Sequence, residues 1–316
     1  MKNIQKLISL VDKNDTIYIQ THDFPDHDAV VSAFALQYLL QTQGITTHLI
    51  YEGTIQRDSL NCLIQDFKIN IKSAREYQIK EQDKIMIVDG CKGNKNVTDL
   101  IGTEMAVIDH HVVASPEDVL FYDIRSNYGA CASMIYTYFR DLNMEIPRNI
   151  ATALMIGLEV DTALMTRGVS REDVVAYSDL YVLADMNFVN ALMRNNIQVK
   201  DLNFYKKAIE NIRIQNKIAF CFFSEGCNQN LLGIIADFFL SLNEVEFVFL
   251  CANNDNVINF SIRNESRKWN AALIIREILK DIGFGGGHIE MAGGIIKDKY
   301  LFDEKEIFYK LHGILN

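Results

Sequence analysis

Four apolar runs in this chain end in acidic or imidazole side chains, and that repetition constrains the fold more than any other feature. Val107-Ile108 leads into Asp109-His110-His111, and Ile85-Met86-Ile87-Val88 leads into Asp89. Tyr18-Ile19-Gln20-Thr21 leads into His22 and then Pro25-Asp26-His27-Asp28, while the run from Ala153 to Val160 leads into Asp161. In open α/β sheets ligands bind outside the carboxyl ends of the strands, so residues that carry chemistry gather there. One such end signifies little, because Asp is common in turns. Four that converge would bring His22, Asp26, Asp28, Asp89, His110 and Asp161 together, with enough oxygen and nitrogen donors for two divalent ions.

The rest of the pattern predicts an α/β protein. Strand-like runs at 16–21, 46–51, 84–88, 104–108 and near 119–123 alternate with helical periodicity at 29–43 and around 57–67, as in a mainly parallel sheet flanked by helices. From Gly129 the chain turns helical, over 130–142 and then from Pro147, tolerated at a first turn, to about Asp161. Ser170-Arg171-Glu172-Asp173 reads as a capped helix start. Helical and polar patterns from 187 to about 213 suggest a connection, so the expected division is a catalytic domain at 1–192, a helical linker at 193–216 and a smaller α/β domain at 217–316. In that last part strands are predicted at 218–223, 245–251 and 257–262, and helices at 229–242, 269–281 and roughly 304–315.

With 316 residues, 49% of them hydrophobic, the chain can bury a large core. A formal net charge of −10 argues against long nucleic acid as a partner, since that affinity rests on neutralising phosphates with a broad basic face. Short nucleotides stay open. No apolar run approaches the roughly 18 residues of a membrane span, and no apolar core follows the first lysines, so no membrane association and a cytoplasmic location are expected. The six cysteines form no CxxC pair and are expected to be reduced and buried. No G-x-G-x-x-G follows the first strand, which argues against a dinucleotide cofactor. A homodimer is compatible with all of this.

Carboxylates with few imidazoles suit Mg²⁺ or Mn²⁺, and the imidazoles tilt the choice to Mn²⁺. Two such ions about 3.5–4 Å apart, sharing a carboxylate such as Asp89 or Asp161, would activate water and support in-line phosphoryl displacement. Pro25 stiffens the turn that presents Asp26 and Asp28. His27 is expected to face away, in a supporting or surface role, and His48 and His312 to be structural. Far along the chain, Gly285-Gly286-Gly287-His288 would let backbone N–H groups approach a phosphate, and Arg263 could clamp one with two hydrogen bonds.

His22-x-x-Pro25-Asp26-x-Asp28-Ala29, Asp89, Asp109-His110-His111, Asp161-Thr162 and Gly285-Gly286-Gly287-His288, in this order over nearly the whole chain, resemble the DHH phosphoesterase family. The likeness is greatest to its short-oligoribonucleotide hydrolases (nanoRNases) and pAp phosphatases, which carry a C-terminal DHH-associated domain. The resemblance implies two Mn²⁺ ions, with Mg²⁺ or Co²⁺ as substitutes. One would be held by His22, Asp26, Asp89 and Asp161 and the other by Asp28, Asp89, His110 and Asp161. It further implies that Asp89 and Asp161 bridge, that Asp109 orients its neighbours and that His111 faces the substrate phosphate. The active site would lie in the cleft between the domains, with Arg263, Gly285, Gly286, Gly287 and His288 binding the substrate's other phosphate. The implied substrate is a short oligonucleotide or a nucleoside 3′,5′-bisphosphate, with linear or cyclic dinucleotides or polyphosphate as the alternative. A non-catalytic nucleotide sensor would be expected to lose ligands, and none of the six is missing. The chain departs from the family at Ala163 to Gly168, where Gly-Ser-Phe is common, at Gly129 to Ser133 and at Met291.

Overall fold

The computed structural model describes residues 2–12, 14–55, 57–194 and 197–315, and the chain divides into two compact units, Met1–Asn196 and Ile197–Asn316. In the first unit α1 (Asn3–Ser9) precedes β1 (Thr16–Thr21), α2 (His27–Thr42), β2 (Thr46–Tyr51), α3 (Asp58–Asp66) and β3 (Ile71–Ser73). Then come β4 (Lys84–Val88), β5 (Thr103–Asp109) and β6 (Phe121–Ile124), followed by α4 (Cys131–Asp141), α5 (Arg148–Asp161), α6 (Arg171–Leu183) and α7 (Met186–Arg194). The strands form one parallel sheet in the order β3-β2-β1-β4-β5-β6. The order reverses between β1 and β4, which creates the crevice where open α/β sheets bind ligands.

Both faces of this sheet are covered, which is why its strands read as continuous apolar runs. Ile17, Ile19, Met86, Val88, Ala106 and Ile108 point into the larger core, where α2, α4 and α5 pack. Their neighbours Tyr18, Ile85, Ile87 and Val107 point the other way, onto Cys91 and Val97. Asp26 caps α2 by accepting the Ala29 N–H at 3.2 Å, and Ser170 with Asp173 forms the expected capping box of α6.

The second unit holds α8 (Leu202–Asn211), β7 (Arg213–Gln215), β8 (Ile218–Phe223), α9 (Gln229–Leu240), β9 (Phe247–Asn254) and β10 (Val257–Asn264). It continues through α10 (Ala271–Ile278), β11 (Phe284–Gly287), β12 (Met291–Ile296) and α11 (Glu304–Leu315). Its sheet runs β11-β12-β10-β9-β8-β7 and is antiparallel except between β8 and β9. Phe220, Phe249 and Phe260 pack with α10 and α11 on one face, and Ala219, Cys221 and Leu250 with α9 on the other.

Three local points differ from the sequence reading or add to it. Arg213–Gln215, read as the end of a helical stretch, is an exposed edge strand. The glycine run, to which the sequence reading assigns no secondary structure, is an edge strand, because glycine allows close packing there. A Cβ on Gly285 would stand 2.6 Å from Ile275, and one on Gly287, at φ +140°, would stand 2.4 Å from the Met291 carbonyl oxygen. Five cysteines are buried, but Cys62 is exposed on α3. Among the described residues no helix is long and apolar enough to cross a membrane.

Candidate metal centre

Three of the four acid-ending runs are strands, and the fourth is the carboxyl-terminal half of α5. β1 delivers His22, and a tight loop through Pro25 places Asp26 and Asp28 at the start of α2. Asp89 follows β4 with φ +58°, a left-handed conformation that Asp tolerates better than most residues. Its N–H still donates to the Ile108 carbonyl at 2.9 Å, so the ladder to β5 fixes where its carboxylate points. β5 ends at Asp109 and hands on to His110 and His111. Asp161 is the last residue of α5.

These side chains converge. His22 Nε2 lies 3.8 Å from Asp89 Oδ2 and 3.9 Å from Asp26 Oδ1, and His110 Nε2 lies 3.3 Å from both Asp89 Oδ1 and Asp161 Oδ2. Three groups therefore offer ligand atoms within 4.8 Å of one another: His22, Asp26 and Asp89; Asp28, His110 and Asp161; Asp89, His110 and His111. Asp89 and His110 each belong to two of them.

Backbone carbonyls set the imidazoles. A carbonyl can only accept, so the contacts from Nδ1 of His22 to Asp23 at 2.8 Å and from Nδ1 of His110 to Tyr128 at 3.2 Å place the proton on Nδ1. The Nε2 of each ring is left facing the carboxylates, and it is the atom that would ligate a cation once its proton is lost, as in metal-binding histidines. Asp109 Oδ1 accepts from both the ring Nδ1 of His111, at 2.7 Å, and its backbone N–H, at 3.1 Å. Asp28 is fully buried, and its carboxylate accepts the Cys131 and Ala132 N–H groups at 2.6 and 2.9 Å at the start of α4.

Electrostatics explain what this cluster requires. Burial, then Asp161 and Asp89, push the Asp28 carboxyl well above the ordinary range, and burial together with Asp26 raises Asp161. Burial opposes a charge on His22, but Asp26 and Asp89 outweigh it and push that imidazole up to about 10; Asp161 and Asp89 raise His110 in the same way. Asp161 also sits at the negative end of a helix. Against burial, His22 holds the Asp26 carboxyl and His110 the Asp89 carboxyl below the ordinary range, whereas Asp28 and Asp161 keep their charge only where cations compensate them. Among the described residues buried Asp89 Oδ1 has no well-formed hydrogen bond and faces only the His110 and His111 rings, at 3.3 and 3.8 Å. The donor set fits a hard to borderline divalent ion.

The remaining sequence-selected residues belong to none of these three groups. His27 is buried against Ser59, with its imidazole driven down to about 3 by burial and Arg57, so it is not a surface residue. In the second unit Arg263 is buried, and its guanidinium donates to both Asp237 carboxylate oxygens, at 2.7 and 3.2 Å, and to Ser261 and the Ile262 carbonyl. Gly285, Gly286 and Gly287 lie on edge strand β11, and the His288 N–H donates to the Met291 carbonyl at 2.7 Å. The supporting roles of the Tyr128 carbonyl and the Cys131 and Ala132 amides are not readable from sequence, because backbone groups carry no residue signature. Gly157, inside α5, is the readable signal that was missed, since a helix-interior glycine usually marks close packing.

A parallel sheet whose strand ends gather carboxylates and imidazoles around a common point defines an α/β protein with a candidate divalent-metal centre. Residues 16–158 match the DHH family, N-terminal domain, and residues 215–308 match the DHHA1 domain. The chain belongs to the DHH family and carries a DHHA1 domain after the DHH domain. An uncharacterized protein of Methanocaldococcus jannaschii is 28% identical over 280 residues, covering 88% of this chain and 57% of its own length. A probable manganese-dependent inorganic pyrophosphatase of Streptococcus thermophilus is 27% identical over 178 residues, 54% of this chain and 56% of that one. The chain thus spans little more than half of either relative. An exopolyphosphatase-related protein from Bacteroides fragilis shares the fold, with a TM-score of 0.80 at 18% identity over 99% of this chain and 95% of that one.

Proposed function

We propose that this chain is a metal-dependent phosphoesterase that hydrolyses short oligonucleotides or a nucleoside 3′,5′-bisphosphate. The observation that carries the reading is the convergence of His22, Asp26, Asp28, Asp89, His110 and Asp161 into overlapping three-residue groups at the strand ends. Two Mn²⁺ ions would be held there, one by His22 and Asp26, the other by Asp28 and His110, with Asp89 and Asp161 shared. When bound, such a pair supplies an activated water and neutralises charge on the phosphate.

The chain's own residues do the rest. Asp28, anchored by two backbone amides, and Asp89, fixed by the ladder to β5, hold their carboxylates without having to reorganise. Asp109 holds the His111 ring by Nδ1, leaving Nε2 to meet a substrate oxygen or give it a proton. Gly285, Gly286, Gly287 and His288 would take the substrate's other phosphate, and Arg263 joins them only if its pair with Asp237 opens. The net charge of −10 favours short substrates over long nucleic acid.

The test is Mn²⁺-dependent hydrolysis of RNA of two to five nucleotides, pAp, a cyclic dinucleotide, a long RNA and tripolyphosphate by the purified protein. Release of mononucleotides from the short RNA, or of phosphate from pAp, with little attack on the long RNA, is the expected result. Exclusive attack on tripolyphosphate or on the cyclic dinucleotide would replace the substrate and keep the centre. Inertness toward all five would overturn the reading.

A further inference from the structure

Three segments that carry the cluster also carry an exposed apolar side chain within three residues of it: Phe24 between His22 and Asp26, Val112 beside His111, and Leu164 beyond Asp161. Single exposed apolar side chains are ordinary on a protein surface, but a large one held in a fixed place beside a polar site is positioned to meet a ligand there. Phe24 is the largest of the three. The residue is 55% exposed and its backbone has φ +56°, which bulky residues adopt only where the surroundings impose it.

The surroundings impose it through several contacts. The Phe24 N–H donates to the Glu52 carbonyl at 3.0 Å, and the Asp23 N–H donates to the Asn96 carbonyl at 2.6 Å. The Asp23 carboxylate accepts the Thr98 N–H and hydroxyl at 3.1 and 2.8 Å. The ring rests on Gly53, where an added Cβ would stand only 2.8 Å from Phe24 Cδ1, so a glycine at φ +78° forms the seat. A flat ring backed by glycine, open to solvent and two residues from both His22 and Asp26, suits a ligand that joins a phosphate to an aromatic plane. Nucleotides are that class, and bases stack on exposed aromatic side chains whatever their sequence.

We propose that Phe24 is a specificity-determining residue that stacks on a nucleobase of the substrate, so that base-bearing phosphate esters are preferred over base-free ones. This rests on the phosphoesterase reading, and binding measurements separate the two. In the Mn²⁺-loaded protein, calorimetry compares AMP with ribose 5-phosphate, and kinetics compare pAp with 1-deoxyribose 3′,5′-bisphosphate, its base-free analogue. The wild type should favour AMP over ribose 5-phosphate by about tenfold to a hundredfold. Phe24→Ala should bring that ratio, and the matching ratio of KM values, toward one while changing kcat for pAp little, and Phe24→Trp should preserve both ratios. Equal affinity of the wild type for the two ligands, or equal losses on base-bearing and base-free ligands in Phe24→Ala with no rescue by Trp, would overturn the inference. A ratio that collapses in Phe24→Ala without turnover of any ester would uphold stacking and sink the phosphoesterase reading. Turnover with an unmoved ratio would do the reverse.

Discussion

A Cβ added to Gly157 in α5 would stand 2.7 Å from Oδ1 of Asp28 in α2 and 2.6 Å from Cγ2 of Val31. Glycine at 157 therefore sets how closely the two helices approach, and Asp161 lies one turn further along α5, on the same face. Gly157→Ala should cost about 1–3 kcal/mol as the helices part and weaken Mn²⁺ binding by displacing Asp28 from Asp161. Denaturant unfolding and a metal titration check this. Wild-type values in both would show that the helices yield without moving either carboxylate.

Asp89 belongs to two of the three potential ligand groups, and its Oδ1 faces His110 Nε2 at 3.3 Å. His110 outweighs burial and holds the Asp89 carboxyl below its ordinary value, so metal-free Asp89→Ala should still fold but melt below the wild-type temperature. Saturating Mn²⁺ stabilises a site by about 2.7 kcal/mol at a hundred times Kd, and that rise should be largely lost in the variant. Activity should fall by more than the roughly 10–100-fold that loss of a supporting residue costs. A metal-free variant that fails to fold would instead mark Asp89 as structural.

Asp109 touches His111 and supports it from behind. Asp109→Ala frees the ring to rotate, and kcat should fall about 10–100-fold with little change in KM. Asp109→Asn keeps an oxygen that can accept from Nδ1 and should recover part of the loss. A rise in KM at constant kcat would place Asp109 in substrate binding instead.

The acid limb of stability should report Asp123, which lies away from the cluster at the far edge of the sheet. Arg125 donates to its two carboxylate oxygens at 2.8 and 2.6 Å, and Tyr138 adds a third hydrogen bond at 2.8 Å. Burial works against the Asp123 charge, but Arg125 outweighs it and holds the carboxyl below its ordinary value. A depressed carboxylate contributes stability that is fully present above the unfolded value near 3.9 and is lost as pH falls through the folded one. Asp123→Ala should cost about 1.5–3 kcal/mol near neutrality, because the partly buried Arg125 loses its two charged hydrogen bonds and keeps only those to Tyr128 and Thr137. Asp123→Asn should flatten the decline in stability below about pH 4. An unchanged slope in urea titrations across that range would show that the pair is solvated.

Most of the first unit was legible because its strands are buried on both faces, so Tyr18 to Thr21, Ile85 to Val88 and Val107 to Ile108 read as apolar runs whose ends stand out. The same contrast exposes His22, Asp26, Asp28, Asp89, His110 and Asp161 as candidates. The glycine run was less legible: Gly285 and Gly287 are needed for close packing against Ile275 and Met291, and a loop and a glycine-rich edge strand look alike in sequence. Arg263 looked like a free phosphate clamp because nothing local reveals that Asp237, 26 residues away, holds it.

By itself the sequence determined the kinds of ligand atom available and their placement at the ends of apolar segments, since strand periodicity and residue chemistry are local properties. Tertiary structure alone decided that those ends meet. Asp28 is fixed by amides 103 and 104 residues further on, His110 is oriented by a carbonyl 18 residues away, and Asp89 reaches both imidazoles. Such contacts depend on strand order and on the approach of α5 to α2, which are settled by packing the whole core rather than by any one segment.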